Sequence, residues 1–493
     1  MAVQEVGGGS TTGEAGGLKK ELKLVDAAAF SAGLIGPVGA MALLGTGAAP
    51  ILGRAVTWAF IFALIGVSLV AYCFIRLSRH ISHTGSVYAL VGTTLGPQAG
   101  FFAGWALLGA YTGIAVGSGI EIALFFTQFL NITGIASSHE WIVIALVALA
   151  LIGMLAFAEI KIITRTLLFS ELTGIVLVTI LSVVIIITLI LGNGPHGRGF
   201  SFNFLSFEPG TGFSTISKAA LFGFLAFAGF EGAAALGEET TNPKREIPRA
   251  IRVALTVVGA FYLLTIIGQS IGYGPSAADT KTFTTGLPYG DLAQVYVDKA
   301  MADVLNLAAT ISLFAICLGC SAGAARIMFA LARDATGKRT GLAGTSKRGA
   351  PVAALMVVLL VVLGGMVGQR IAKVGVVNAT FYALQLGTLC ILVAYLMATF
   401  GAIKFLFFDG KVQTPKWQIV IPMLGAVFVG YTLVKNIINE PFPYNRFPIV
   451  VGIFLLIGLA LVVLTPGLAG RVKSGLLRSG GESELEPAPV TLT

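Results

Sequence analysis

Twelve apolar stretches, each close to bilayer-crossing length, follow one another along the chain: 25–49, 55–75, 99–129, 140–158, 166–191, 215–236, 250–272, 303–331, 351–368, 376–404, 418–435 and 447–465. A helix needs about 20 apolar residues to cross the hydrocarbon of a bilayer. The expected fold is therefore an all-α membrane protein with twelve transmembrane helices. The third, eighth and tenth stretches are long enough to tilt or to extend beyond the lipid. Composition points the same way, with 56% hydrophobic and 11% charged residues and a mean hydropathy of +0.90. A soluble domain carries about 25% charged residues.

The ends and connections are polar. Residues 1–23 are Gly- and Ser-rich and read as a disordered cytoplasmic tail; they lack the short apolar core and small-residue cleavage site of a signal peptide. Residues 470–493 turn from basic to acidic, contain proline, and read as a second disordered cytoplasmic tail. The connections 192–214 and 273–302 are too short for a domain with its own core, although 291–299 could form a short surface helix. Most of the 32 Lys and Arg fall in alternate connections, which by the positive-inside rule places both termini in the cytoplasm. The net charge of +9 is scattered over loops, so it marks topology and excludes a nucleic-acid footprint. Cys73, Cys317, Cys320 and Cys390 all lie in apolar stretches. The CxxC at 317–320 has no companion His or Cys, so no metal or other cofactor is expected.

Two stretches are poor helices. The first packs Gly33, Gly36, Pro37 and Gly39 into seven residues; proline removes a backbone donor and glycine weakens helix further. The sixth carries Gly223, Gly229 and Gly232 around Glu231. A carboxylate in a span costs roughly 2.5–3.5 kcal/mol on the insertion scale and usually marks function. The two breaks are offset by five stretches, as an inverted five-plus-five repeat predicts. In that architecture paired discontinuous helices meet at the midplane and hold a solute. Glycines 104, 109, 113, 117 and 119 of the third stretch read instead as close helix packing.

Three signatures then appear in order. Phe227-Ala-Gly-Phe-Glu231 leads into Gly237-Glu-Glu-Thr-Thr-Asn-Pro-Lys-Arg-Glu-Ile-Pro-Arg-Ala250. Ala324-Ala-Arg-Ile-Met-Phe-Ala-Leu-Ala-Arg-Asp334 precedes Ala350-Pro351, and Ser78-Arg-His-Ile-Ser-His-Thr-Gly-Ser-Val-Tyr88 links the second and third stretches. With these the sequence resembles the amino acid–polyamine–organocation (APC) superfamily, amino acid permease type, over about 24–467. The resemblance implies a LeuT-like five-plus-five inverted repeat at 24–404, with broken helices 1 and 6, followed by two peripheral helices at 405–469. It also implies a substrate site. The carboxylate would sit on backbone amides at Ile35, Gly36, Pro37, Val38 and Gly39, where a half-helix N-terminus suits anions. The amino group would meet carbonyls at Leu225, Ala226 and Ala228, with Phe227 at the aromatic position. This chain departs from the family's Gly-Ser-Gly-like triplet: Pro37 lacks an N–H, so one potential carboxylate donor is missing.

The expected pocket wall is aromatic and apolar: Tyr111, Phe227, Phe230, Phe381 and Tyr382. Apart from Glu231, no acidic pair is visible along the broken helices, which favours a neutral or apolar substrate over a polyamine. Glu231 is either the proton-coupling group or a brace for the unwound segment. Glu171 is a second proton-coupling candidate, although Arg165 lies six residues before it and suggests a place near the cytoplasmic interface. Glu121 is a third. The resemblance offers no coupling lysine here, because the stretch reads Ser170-Glu171-Leu172-Thr173. Sodium stays open through Ser321, and Arg326 reads as structural bracing. His80, His83, His139 and His196 fall in loops or at span edges. The expected function is secondary transport of a small amino acid or related amine across the cytoplasmic membrane by alternating access, with proton coupling, and without enzymatic chemistry. An exchanger of amines or other small solutes, a channel and a nontransporting nutrient sensor are the alternatives. Oligomeric state is left open.

Overall fold

The computed structural model describes residues 22–81, 86–133, 140–156, 160–207, 210–237, 240–336, 341–344, 351–410, 414–438 and 440–480. Among them, pairing of β type is confined to one isolated bridge between Leu22 and Thr240; the rest of the regular structure is helical.

The first apolar stretch forms two helices, α1 (Leu24–Ile35) and α2 (Pro37–Leu52), with Gly36 between them. Gly36 adopts φ 55°, ψ 63°, the left-handed conformation that ends helices and that glycine reaches without a Cβ penalty. Pro37 follows at the first position of α2, where its missing N–H costs nothing. Then come α3 (Thr57–Leu77), α4 (Val87–Leu95), α5 (Pro97–Thr133), α6 (Trp141–Ala156) and α7 (Ile160–Ile190). The sixth apolar stretch is also interrupted. Its helix α8 (Phe213–Ala226) stops, Gly229 turns to φ 101°, and residues 230–236 continue as a tighter 3₁₀ coil. The remaining helices are α9 (Pro243–Tyr273), α10 (Ala277–Thr285), α11 (Pro288–Tyr296), α12 (Lys299–Thr336), α13 (Val352–Ile371), α14 (Val376–Ile403), α15 (Val420–Lys435), α16 (Phe447–Leu464) and α17 (Leu468–Gly480).

Among the described residues, ten helical stretches are long and apolar enough to cross a membrane. One of them, Leu24–Leu77, is 54 residues long and contains α1, α2 and α3, while Trp141–Leu155 is a shorter apolar helix. The core lies around α8: 94% of an 18-residue apolar window within Phe213–Leu236 is buried, against 22% of such windows in the stretches containing α15 and α16. Those two helices present Val427, Leu456 and Val463 outward, an apolar surface suited to lipid. The long helix α5 packs against both α12 and α14. At its crossing with α14, a Cβ on Gly113 would lie 2.8 Å from the Gly387 Cα, so the backbones touch.

The two ends of the bundle are closed differently. At one end α10 and α11 fold over the core: Thr46 Oγ1 donates to the Gly286 carbonyl at 3.2 Å, and Tyr289 Oη to the Val38 carbonyl at 2.9 Å. Nearby, Arg198 gathers the Tyr273 and Gly272 carbonyls at 2.7 and 2.6 Å. At the other end, Tyr88 Oη donates to Asp334 Oδ2 at 2.8 Å, and Arg333 Nε lies 2.8 Å from Asp334 Oδ1.

Three expectations change here. Residues 470–480 are not a disordered tail: α17 covers them, burying Leu468 and Val472 and packing Leu476 on the core. Residues 481–493 and 1–21 lie outside the described residues. The helix expected at 291–299 begins earlier, at Pro288, and is anchored by buried Tyr289, Leu292 and Ala293. The Glu171 side chain does not reach a polar surface. It stands 11 residues into α7, about 17 Å along the helix, and is 1% exposed.

Candidate substrate site between the helix breaks

Breaking a helix frees backbone groups, and the use made of them defines this site. At the start of α2 the amide of Ala40 bonds back to the Gly36 carbonyl. Pro37 has no N–H, which leaves the amides of Val38 and Gly39 as the outward-facing donors. Both meet side chains of the protein. Gly39 N–H donates to Ser312 Oγ at 2.8 Å, Ser312 Oγ donates to Glu171 Oε1 at 2.6 Å, and Val38 N–H approaches Glu171 Oε2 at 3.4 Å. The half-helix N-terminus, a natural anion site, thus already faces a carboxylate from α7.

The second break is organised around Glu231, which is fully buried. Its Oε1 accepts from Tyr111 Oη at 2.7 Å; its Oε2 accepts from Tyr395 Oη at 2.7 Å and from Gly229 N–H at 3.2 Å. Three donors satisfy the carboxylate, and the acid ties the 227–231 turn to α5 and α14. Ser31 of α1 completes the joint between the breaks, donating to the Phe230 carbonyl at 3.2 Å and accepting from Ala233 N–H at 2.8 Å.

Between the breaks lies a cavity of about 30 Å³ bounded by Ile35 and Ala40 on either side of Gly36, by Leu225 and Ala228 at the second break, and by Ser118 and Glu121 of α5. That is room for a few water molecules at most, too little for an amino acid. The expected residues divide around it. Ile35, Leu225, Ala228 and Glu121 reach the cavity. Gly36 and Pro37 shape it from the backbone. The Ala226 carbonyl accepts from Tyr262 Oη at 2.6 Å and the Leu225 carbonyl from Ala228 N–H at 3.0 Å, so these two carbonyls are engaged within the protein. Tyr111 serves Glu231. Phe227 packs edge-on against Tyr262, with ring centroids 4.9 Å apart, and Phe230 against Phe74 and Tyr395. Phe381 meets Phe222, and Tyr382 turns to Tyr444 and Phe447; neither is among the cavity-lining residues.

The acidic character of the site is therefore higher than the sequence reading allowed. Glu121 borders the cavity and Glu171 sits on the first break, so the absence of acidic groups beside the broken helices does not hold. Sequence also gave no sign of Ser312, Tyr395 or Tyr289. Ser312 is one hydroxyl in a 38-residue helix, and Tyr395 lies 164 residues from its partner. Of the remaining candidates, Ser321 is buried with no hydrogen-bond partner for its Oγ among the described residues. His80 rests its ring 5.9 Å from Phe405. Cys317 points its thiol at the Ala115 carbonyl, 3.3 Å away. His83, His139, Glu238 and Glu239 lie outside the described residues.

Comparison with known proteins supplies the deciding observation: the family model for amino acid permeases matches residues 30–437. The chain belongs to the amino acid permease family. It is thus a multi-pass membrane protein of a transporter family within the APC superfamily. The branched-chain amino acid permease BcaP of Bacillus subtilis is 27% identical over 337 residues, covering 66% of this chain and 69% of that protein. The vacuolar cationic amino acid transporter 2 of Arabidopsis thaliana is 26% identical over 328 residues, 64% of this chain but only half of the relative's length. The methylthioribose transporter of Bacillus subtilis is 26% identical over 326 residues, covering 64% and 68%. Similar chains thus carry names for quite different solutes. In this family member, both helix breaks fall inside the matched region.

Proposed function

We propose that the protein is a secondary active transporter that carries a small amino acid or related amine across the cytoplasmic membrane, by alternating access and coupled to protons. The observation that carries this reading is the small cavity held between two interrupted helices. A pocket that admits small molecules occupies roughly 300–1,000 Å³, an order of magnitude more than the space between Ile35 and Ala228. Loading therefore requires the helices to part.

In this reading the chain crosses the membrane twelve times, through α1–α2, α3, α5, α6, α7, α8 with 230–236, α9, α12, α13, α14, α15 and α16. The first ten crossings form the inverted repeat and both termini are cytoplasmic. The Tyr289 and Thr46 contacts then form the outer closure, and the Tyr88–Asp334–Arg333 cluster, backed by α17, forms the cytoplasmic one. Alternating release of these two sets gives access from one side at a time.

Three buried carboxylates are available to carry a proton. Glu231 is assigned the bracing role, because three donors already converge on it. Glu171 is assigned the coupling role: it has one hydroxyl and one long amide contact, so it loses less than Glu231 when a proton arrives. Glu121 is left to the ligand. Ser321 is the position to examine if sodium substitutes for the proton.

Uptake into proteoliposomes from a mixed pool of labelled amino acids and amines tests this directly. Accumulation is expected under an inward pH gradient and not under a sodium gradient alone. Glu171→Gln should leave exchange of internal for external solute while abolishing accumulation. Flux that exceeds transporter turnover would indicate a channel, and binding without flux a sensor; either result removes the proposal.

A further inference from the structure

The cavity has an acid that the fold leaves unpartnered. Glu121 is 3% exposed, borders the cavity, and its Oε1 has no hydrogen-bond partner among the described residues. A buried carboxylate without a donor is costly, and nothing in the packing of α5 asks for one there. A second observation bears on the same volume. The Val38 and Gly39 amides, which would take up a ligand anion, face Glu171 and Ser312 instead. Tyr289, which donates to the Val38 carbonyl, lies within electrostatic reach of both Glu171 and Glu121. The cavity-lining residues include no Lys or Arg.

Resting on the transport reading above, we infer that this cavity is selective for organic ammonium ions without an α-carboxylate: Glu121 supplies the counter-charge, and Glu171 fills the backbone anion site that a carboxylate would need. A ligand ammonium placed at Glu121 satisfies the orphaned oxygen with a charge-assisted hydrogen bond, the stronger kind. A ligand carboxylate would have to displace Glu171 from the Val38 amide and Ser312 from the Gly39 amide while standing near a second acid. Discrimination of this sort works by penalising the wrong ligand as well as by holding the right one. The two acids act on different ends of the ligand, which makes their roles separable.

The test uses the full chain, purified and reconstituted, with three pairs of probes that differ only by the carboxylate: isopentylamine and leucine, phenethylamine and phenylalanine, putrescine and ornithine. Equilibrium binding is measured in potassium chloride and again in sodium chloride. At least one amine is expected to bind at least tenfold more tightly than its paired amino acid. Glu121→Gln should weaken that amine at least tenfold, a loss of about 1.4 kcal/mol, and Glu121→Asp, which keeps the charge, should recover part of it. Glu171→Ala, which frees the Val38 amide and removes the acid behind Ser312, should narrow the gap by strengthening the amino acid. Size-exclusion profiles confirm that each variant is folded. The inference is overturned by binding of none of the amines, by equal affinity within every pair, by an amine indifferent to Glu121→Gln, or by sodium alone occupying the site. Parallel uptake keeps the two readings apart. An amino acid that is carried yet not displaced by amines sinks this inference and leaves transport standing; amine binding that obeys Glu121 without any flux does the reverse.

Discussion

Glu231→Ala is expected to destabilise the protein by about 2–4 kcal/mol and to abolish transport. The variant removes the acceptor shared by Tyr111, Tyr395 and Gly229. Each buried donor left unpaired costs roughly 1–3 kcal/mol, less whatever the hydroxyls regain by rotating towards other acceptors. Relief from burying the acid offsets part of the loss. Tyr111→Phe and Tyr395→Phe should each cost less, about 1 kcal/mol, because one remaining phenol and the Gly229 amide still hold the carboxylate. Glu231→Gln keeps an acceptor oxygen and the side-chain shape, so it should retain most of the stability and, with Glu231 in the proposed bracing role, the dependence of flux on the pH gradient. Thermal unfolding of the solubilised protein and uptake assays read both effects. A Glu231→Ala variant as stable as the parent would show that the convergence of three donors carries no energy.

The second large effect is expected at Gly229. Its φ of 101° lies in the region that side chains rarely adopt, and an added Cβ would stand 2.9 Å from Leu34 Cβ and 3.0 Å from the Leu34 carbonyl carbon. Part of that obstacle is backbone, so α1 itself would have to retreat. Gly229→Ala should therefore cost about 2–4 kcal/mol, from backbone strain of roughly 1–3 kcal/mol together with overpacking of similar size, and should eliminate solute binding by separating the two breaks. Gly36→Ala meets a softer obstacle, the side chain of Ile316, and Ile316→Ala in the same chain should restore part of the activity. No such rescue is available to Gly229, because the clash includes main chain. Wild-type affinity in Gly229→Ala would mean that the close approach of the breaks is not needed for binding.

How far these features could be read from sequence depended on whether their cause was local. The break at Gly36 was legible, because a left-handed glycine followed by proline ends one helix and begins another whatever surrounds it. The interruption near Gly229 was legible for a similar reason, and Glu231 stood out because acids are rare in apolar stretches. The contents of the site were not legible. Whether Glu121 faces a cavity or lipid depends on the rotation of α5 against α2, α8 and α12, which no local pattern encodes. That Glu171 turns inward to Ser312 and the first break could not be read from its spacing to Arg165, because the inward face of α7 is set by its packing on α1, α9 and α12. The aromatic wall was expected from residue type alone. Phe230 and Tyr382 instead use their rings to pack one helix on another, as large rings do wherever helices cross. The C-terminal helix is a different case, since its signal was present. Leu468, Val472 and Leu476 recur every four residues, the spacing of one helical face, but the surrounding glycines and charges drew the reading towards disorder.

The central claim is that a transported solute sits between the two helix breaks, and alkylation of a thiol placed in that wall tests it most directly. Ser118 borders the cavity, and Ser118→Cys changes one atom, in a background where Cys73, Cys317, Cys320 and Cys390 are replaced by alanine. A saturating transported solute is expected to slow alkylation of Cys at this position at least tenfold in proteoliposomes, with half-protection at the concentration that half-saturates uptake. An alkylation rate unaffected by a solute that the same preparation carries would place the route elsewhere and contradict the account.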